Sequence, residues 1–155
     1  MSECLPSATP LSSGLLLSAK DCFNTSEKAY EMKDIPYYEA LGSLMWLQVT
    51  TRPDLSFAIN LLACFAYNPG KPHWIALKHI LAYVKGTIGY GITYRAGGNL
   101  NLIGYVDSDF AGCKDTRRST EETIFIVARG LVSWESKQQD TVALSTVEAE
   151  YMAFL

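Results

Sequence analysis

The sequence predicts an α+β chain, in which a helical first part gives way to antiparallel strands followed by a helix. Three observations carry that reading. Apolar residues recur at three- and four-residue steps between Pro36 and Gly86. After Gly86 the texture changes to short runs rich in β-branched and aromatic residues, separated by Gly-containing turns. From Thr146 the spacing is helical again, behind a serine placed to cap it. With 155 residues, 48% of them hydrophobic and 19% charged, the chain is long enough for one full domain or two partial ones.

Residues 1–35 are rich in Ser, Thr and Pro without sustained periodicity, which predicts a linker or loosely ordered arm. Pro36 opens a helical pattern over 36–51, which Arg52-Pro53-Asp54 breaks, because proline disfavours helix in the residue before it. Asp54 is placed to cap or begin a second helix through Ile59, Leu62 and Phe65. Asn68-Pro69-Gly70 turns the chain, and Pro72 starts a third helix whose Trp74, Leu77, Leu81 and Val84 form one apolar stripe, with Gly86 as a C-cap. Lys71, Lys78 and Lys85 share a flank of that helix, as a solvated surface or a phosphate-binding ridge. The helical segment thus covers 36–89.

The remainder, 90–155, reads as strands at 90–95, 100–110, 123–128 and 131–135, with a turn at Gly97-Gly98-Asn99 and another around Arg129-Gly130. Residues 141–144 are a fourth short strand or a continuation of the third. A helix covers 146–155, with Val147, Tyr151 and Phe154 as its buried stripe. Trp46 and Trp134 read as core aromatics.

The formal net charge of -3 gives no global pull toward phosphate, so nucleic-acid contact would depend on local basic clusters. Cys4, Cys22, Cys64 and Cys113 are too scattered for a zinc knuckle or a disulfide framework, and reduced thiols in the cytoplasm or nucleus are expected. No basic-then-apolar secretion signal opens the sequence, and no apolar run is long enough to cross a membrane.

Chemistry concentrates at two places. Strand alternation puts Tyr105, Asp107 and Asp109 on one face, and carboxylates at i and i+2 suit a divalent cation or a solvated strand end equally. In Ser145-Thr146-Val147-Glu148-Ala149-Glu150-Tyr151, Ser145 and Glu148 have capping-box spacing, which gives Glu148 a structural task. Glu150 falls at the edge of the expected stripe and is the better candidate to face Asp107. Lys114, Arg117 and Arg118 form the strongest basic cluster, as phosphate contacts or a solvated loop.

The motifs Leu41-Gly42-Ser43-Leu44-Met45-Trp46-Leu47, Thr51-Arg52-Pro53-Asp54-Leu55-Ser56-Phe57-Ala58, Asn68-Pro69-Gly70-Lys71-Pro72-His73-Trp74 and Tyr83-Val84-Lys85-Gly86-Thr87 resemble the segment after the polymerase palm in copia-type retrotransposon Pol polyproteins. Gly104-Tyr105-Val106-Asp107-Ser108-Asp109-Phe110-Ala111-Gly112, Arg117-Arg118-Ser119-Thr120, Val132-Ser133-Trp134-Glu135-Ser136-Lys137 and Ala143-Leu144-Ser145-Thr146-Val147-Glu148-Ala149-Glu150-Tyr151 resemble that family's ribonuclease H domain. The resemblance implies the end of a reverse-transcriptase region followed by an incomplete ribonuclease H-like unit. It also implies cleavage of the RNA strand of an RNA–DNA hybrid by two Mg2+ ions, with Asp107 and Glu150 as the first two catalytic and metal-binding carboxylates. The family's third carboxylate would follow Leu155, so a remnant without autonomous catalysis is expected. An enzyme completed by further sequence and a co-opted nucleic-acid or protein interaction module are the alternatives. Self-association through an open sheet edge is a further expectation. Glu121-Glu122-Thr123 departs from the Ser-Gly-aromatic stretch usual in the family, a change expected to touch no metal ligand.

Overall fold

A computed structural model describes residues 4–97 and 100–155. The chain divides into two compact units, one running to Tyr90 and one starting at Gly91.

In the first unit, α1 (Ser26–Met32), α2 (Tyr37–Thr51), α3 (Ser56–Ala63) and α4 (Lys71–Gly86) surround one core. Leu41 and Leu44 of α2, Leu55, Ala58, Ile59 and Leu62 around α3, and Leu77 and Ile80 of α4 are buried there together. Pro36 precedes the first turn of α2, where its missing N–H costs nothing, and Arg52-Pro53 ends that helix. Residues 53–55 form a short 3-10 turn that carries the chain into α3. Trp46 is 74% exposed, contrary to the core role expected of it, because α2 turns Tyr37, Leu41, Leu44 and Gln48 inward.

The stripe of α4 is rotated from the predicted one. His73, Ala76, Leu77, Ile80 and Tyr83 face inward, while Trp74, Leu81 and Val84 sit partly buried at its margins. His73 is fully buried, accepts the Gly70 N–H at Nδ1 (2.9 Å) and packs on the Phe65 ring at 4.3 Å. Burial holds its pKa below the usual histidine value, so the ring stays neutral.

Residues 4–35 are not a loose arm. Leu17 and Met32 are buried, Ser18 caps a 3-10 turn at Ala19–Asp21, and Thr25 caps α1 through Lys28 N–H. The first part runs antiparallel along α4. Ser12 and Ser7 hydroxyls meet the two ring nitrogens of His79 (3.4 and 2.9 Å), Ser7 N–H bonds to Ala82 carbonyl (3.2 Å), and Lys85 Nζ donates to Cys4 carbonyl (2.7 Å). Gly86 is not the C-cap expected of it, because α4 runs through it and Thr87 takes that position. It lies inside α4, and a Cβ there would come within 3.0 Å of Pro6 and 3.2 Å of the Ser7 carbonyl oxygen.

Arg52 and Asp54 close the first unit from inside. The Arg52 guanidinium is buried, reaches Asp54 at 2.8 Å, and donates to Thr87 Oγ1 and the Thr87 carbonyl at 2.6 and 3.2 Å. Tyr83 hydroxyl also donates to Asp54 (2.9 Å), while the Tyr83 and Tyr90 rings lie near the guanidinium. Asp54 thus lies in the turn that begins the helical stretch into α3, where it anchors Arg52 and makes no cap of α3 itself.

In the second unit, β1 (Ile103–Ser108), β2 (Thr120–Val127) and β3 (Gly130–Gln138) form an antiparallel sheet in the order β1-β2-β3. The helix α5 (Thr146–Phe154) packs on β1 and β2. The α+β class is as predicted. Residues 90–95 are not a strand: Tyr94 leaves the backbone to cover Gly130, where its ring would overlap any Cβ, and its hydroxyl donates to Leu131 carbonyl at 2.7 Å. Residues 141–144 form no strand either. Of the turn predicted at Gly97-Gly98-Asn99, Gly97 has φ +75°, and Gly98 and Asn99 lie outside the described residues.

The β2–β3 hairpin turns on Ala128 and Arg129, one residue earlier than the predicted Arg129-Gly130. Both have positive φ (51° and 63°), the backbone of a two-residue mirror-image turn that favours Asn-Gly. An Ala128→Asn/Arg129→Gly variant will therefore stabilise the second unit by about 1 kcal/mol, read as a higher thermal midpoint; an unchanged or lower midpoint would refute the turn assignment.

Candidate functional site

Asp107 is exposed near the end of β1, and the pairing register sets it directly across from Glu122, which in turn faces Ser136. Cross-strand partners share a face, so two carboxylates stand side by side there. Asp109 sits just past β1 and is committed elsewhere. Its Oδ1 accepts Thr120 N–H at 2.6 Å, its own N–H donates to Thr120 carbonyl at 3.1 Å, and Gly112 packs so tightly on its carboxylate that no Cβ would fit. The partner of Asp107 is therefore Glu122 on the next strand and not Asp109 two residues on. This corrects the expectation that the departure at Glu121-Glu122-Thr123 lies clear of the candidate ligands.

The loop after β1 carries the basic cluster. Ala111 N–H donates to the buried Ser119 hydroxyl (3.1 Å), and Cys113 and Arg118 close the loop by a backbone bond (3.1 Å). Arg117 takes φ +60° and donates its N–H to Cys113 carbonyl (2.8 Å). Lys114 and Arg117 are exposed and Arg118 is half-buried, so three cations project from the connection that leaves the Asp107 end of the sheet.

The helix α5 is capped as its sequence predicts, with one shift. Ser145 Oγ accepts Glu148 N–H (3.1 Å), but the Glu148 carboxylate reaches back to Leu144 N–H (2.7 Å) and not to that of Ser145. The buried face is the reverse of the predicted one. Ala149 is completely buried and Met152 and Ala153 are half-buried, whereas Val147, Tyr151 and Phe154 are 76%, 64% and 78% exposed. Small side chains let the helix backbone approach the sheet, which the large ones would hold off. Glu150 then lies roughly 105° from the centre of the buried face and is exposed.

Gln139, buried and absent from the sequence reading, joins helix and strand: its Nε2 donates to Ala149 carbonyl (2.9 Å) and to Ser108 Oγ (3.4 Å). By register Asp107 shares its sheet face with Glu122 and with Ser136, which is buried. Among the described residues, no group of three or more His, Cys, Asp or Glu side chains is arranged to hold a metal ion. Nor is any described helix long and apolar enough to cross a membrane.

Comparison with known proteins decides the kinship. The chain is 45% identical over 153 residues to a retrovirus-related Pol polyprotein from transposon TNT 1-94 of Nicotiana tabacum, covering 99% of this chain and 11% of that protein. It is 38% identical over 144 residues to the Pol polyprotein from transposon RE2 of Arabidopsis thaliana, covering 93% of this chain and 10% of that one. The chain belongs to the copia-type retrotransposon Pol family. It is retrotransposon-derived, and it spans about a tenth of the length of these Pol relatives. A 48% match over 122 residues, covering 79% of this chain and 86% of the relative, is to a protein of Plasmopara viticola described as a secreted RxLR effector. No family profile and no solved structure matches the chain.

Proposed function

We propose that this Pol-derived chain binds RNA–DNA hybrid as the opening part of a ribonuclease H-like unit, and that the residues described here do not cut it. The observation that carries the reading is the placement of Lys114, Arg117 and Arg118 on the connection leaving the Asp107 end of the sheet, where a hybrid crossing that end would meet these cations. The order of Pol-like motifs supports the same assignment.

Magnesium is the cofactor the family implies, and a two-ion site needs several carboxylates converging on the ions. These residues do not fit one. Asp107 and Glu150 are the two candidate ligands and both are exposed, no group of three or more possible ligands forms among the described residues, and Asp109 is bound to Thr120. Glu122 beside Asp107 sets a second carboxylate at that end of the sheet.

Incubated with labelled hybrid in magnesium or manganese, the purified chain will leave the RNA intact, and Asp107→Asn and Glu150→Gln will change nothing. RNA cleavage that both substitutions abolish would overturn the reading. Hybrid binding, followed by fluorescence anisotropy across a salt series, will weaken about tenfold in Lys114→Gln/Arg117→Gln/Arg118→Gln, with a shallower salt dependence.

A further inference from the structure

Both histidines of the chain stand on α4, the helix that the segment before α1 packs against. They are held there in unlike ways. His79 meets the hydroxyls of Ser7 and Ser12, and a hydroxyl accepts as readily as it donates, so those bonds persist whether the ring is neutral or charged. His73 has no such freedom. It occupies the third position of α4 and returns through Nδ1 to the Gly70 N–H, the task that a glutamate or glutamine performs in a capping box. An imidazole accepts there only while Nδ1 carries no proton, so the single proton of the ring is on Nε2.

A second proton would break the box from inside. It would set Nδ1–H against the Gly70 N–H, two donors head to head, on a ring that is fully buried and packed on Phe65. Nε2 could not share the charge, because among the described residues it has no hydrogen-bond partner. Among the elements packed on α4, the 3-10 turn brings Asp21 and Lys20, α2 brings Glu39, Tyr37 and Tyr38, and α3 brings no ionisable side chain. The helix itself brings Lys71 two residues before the ring. Burial disfavours the charged ring and outweighs the attraction of Asp21, whose carboxylate is engaged by the Ser18 N–H at 2.8 Å.

The box is also the joint between α4 and the segment before α1. Gly70 lies so tightly against the Asp21 carbonyl that no side chain would fit. Two residues earlier, Asn68 Nδ2 donates to the Phe23 carbonyl at 3.1 Å, while Asn68 Oδ1 is enclosed without a partner. Few bonds hold this joint, and Leu55, Ile59, Leu62 and Leu77 pack together without depending on it.

We propose that His73 is an acid-released latch: protonation of its buried ring opens the Gly70 box and frees residues 19–23 from the start of α4 while the helical core stays folded.

The test sets the full chain beside His73→Gln, which keeps an acceptor at the third helical position but does not titrate. Backbone hydrogen exchange, corrected for its intrinsic pH dependence, is followed from about pH 7.5 to about pH 5. A ring kept neutral by the fold takes its proton first in the opened state, so the joint's stability is present above the free histidine value of about 6.5 and is lost as pH falls below it. In the wild type the opening equilibrium at Gly70 and residues 19–23 will therefore rise by up to about tenfold per pH unit below about 6.5, while Ile59 and Leu62 keep their protection. His73→Gln will show no such rise, with His79 present in both proteins. The same rise in His73→Gln, or an equal loss of protection at Ile59 and Leu62, would overturn the latch. Ring 15N shifts of the wild type keep the question answerable if the variant fails to fold: Nδ1 will be unprotonated at neutral pH, and its protonation will coincide with opening at Gly70. A proton on Nδ1 at neutral pH, or titration of the ring with Gly70 still protected, would overturn it as well.

Discussion

Arg52→Ala will lower the stability of the first unit by about 3 kcal/mol, measured as a fall in the urea midpoint without a change in slope. The Arg52 side chain is 4% exposed and serves Asp54, Thr87 and the rings of Tyr83 and Tyr90 at once. Its removal leaves the partly buried Asp54 carboxylate without its charged partner and leaves Thr87 carbonyl without that donor. The loss comes mainly from stranding these partners, since a surface ion pair would be worth under about 1 kcal/mol. Arg52→Lys will recover only part of it, because an ammonium cannot span the fork that the guanidinium makes.

The same pair sets an acid limit. Burial pushes the Asp54 carboxyl up, but donation from Arg52 and Tyr83 outweighs it and holds the pKa below the ordinary value. A depressed folded pKa contributes stability that is present above the unfolded value of about 4 and is lost as pH falls toward the folded one. Unfolding of wild type will therefore sharpen below about pH 4, and Asp54→Asn will flatten that part of the profile. If Arg52→Ala moved the midpoint by no more than an exposed substitution does, the anchoring role would be wrong.

Leu77→Ala will cost about 3 kcal/mol, and Leu81→Ala about 1 kcal/mol. Leu77 is wholly enclosed with Leu55, Ile59, Leu62 and Ile80, so truncation opens a void that neighbours from two helices cannot fill. Leu81 sits at the margin of the same core and keeps solvent contact. The pair tests the rotation of α4, because the stripe read from sequence gives the two leucines equal weight. Equal losses would restore that stripe.

Local chemistry was legible in the sequence, and pairing was not. Pro36, the Arg52-Pro53 break and the Ser145 cap act within a few residues of themselves, so their consequences could be read directly. The faces of α4 and α5 depended on what each helix meets. Two overlapping apolar stripes were available on α4, and α5 buries Ala149 in place of Val147, Tyr151 and Phe154. Alternation at 90–95 promised a strand, yet the segment's firmest attachment is through Tyr94 to the turn of another hairpin. Glu122 was set aside because its proximity to Asp107 exists only in the β1–β2 register, which no single strand reveals. Asp109 illustrates the converse: alternation groups it with Asp107, but it lies past the end of β1 and its carboxylate is taken up by Thr120 N–H.

The antiparallel track of residues 4–12 along α4 fixes how many residues that helix contains between its contacts at His79, Ala82 and Lys85. One codon inserted or deleted there would rotate everything beyond it by about a quarter turn, tearing the strap from the helix while the core tried to keep its own register. Copies of this element that selection keeps folded will therefore tolerate substitutions across that stretch much more readily than changes of length.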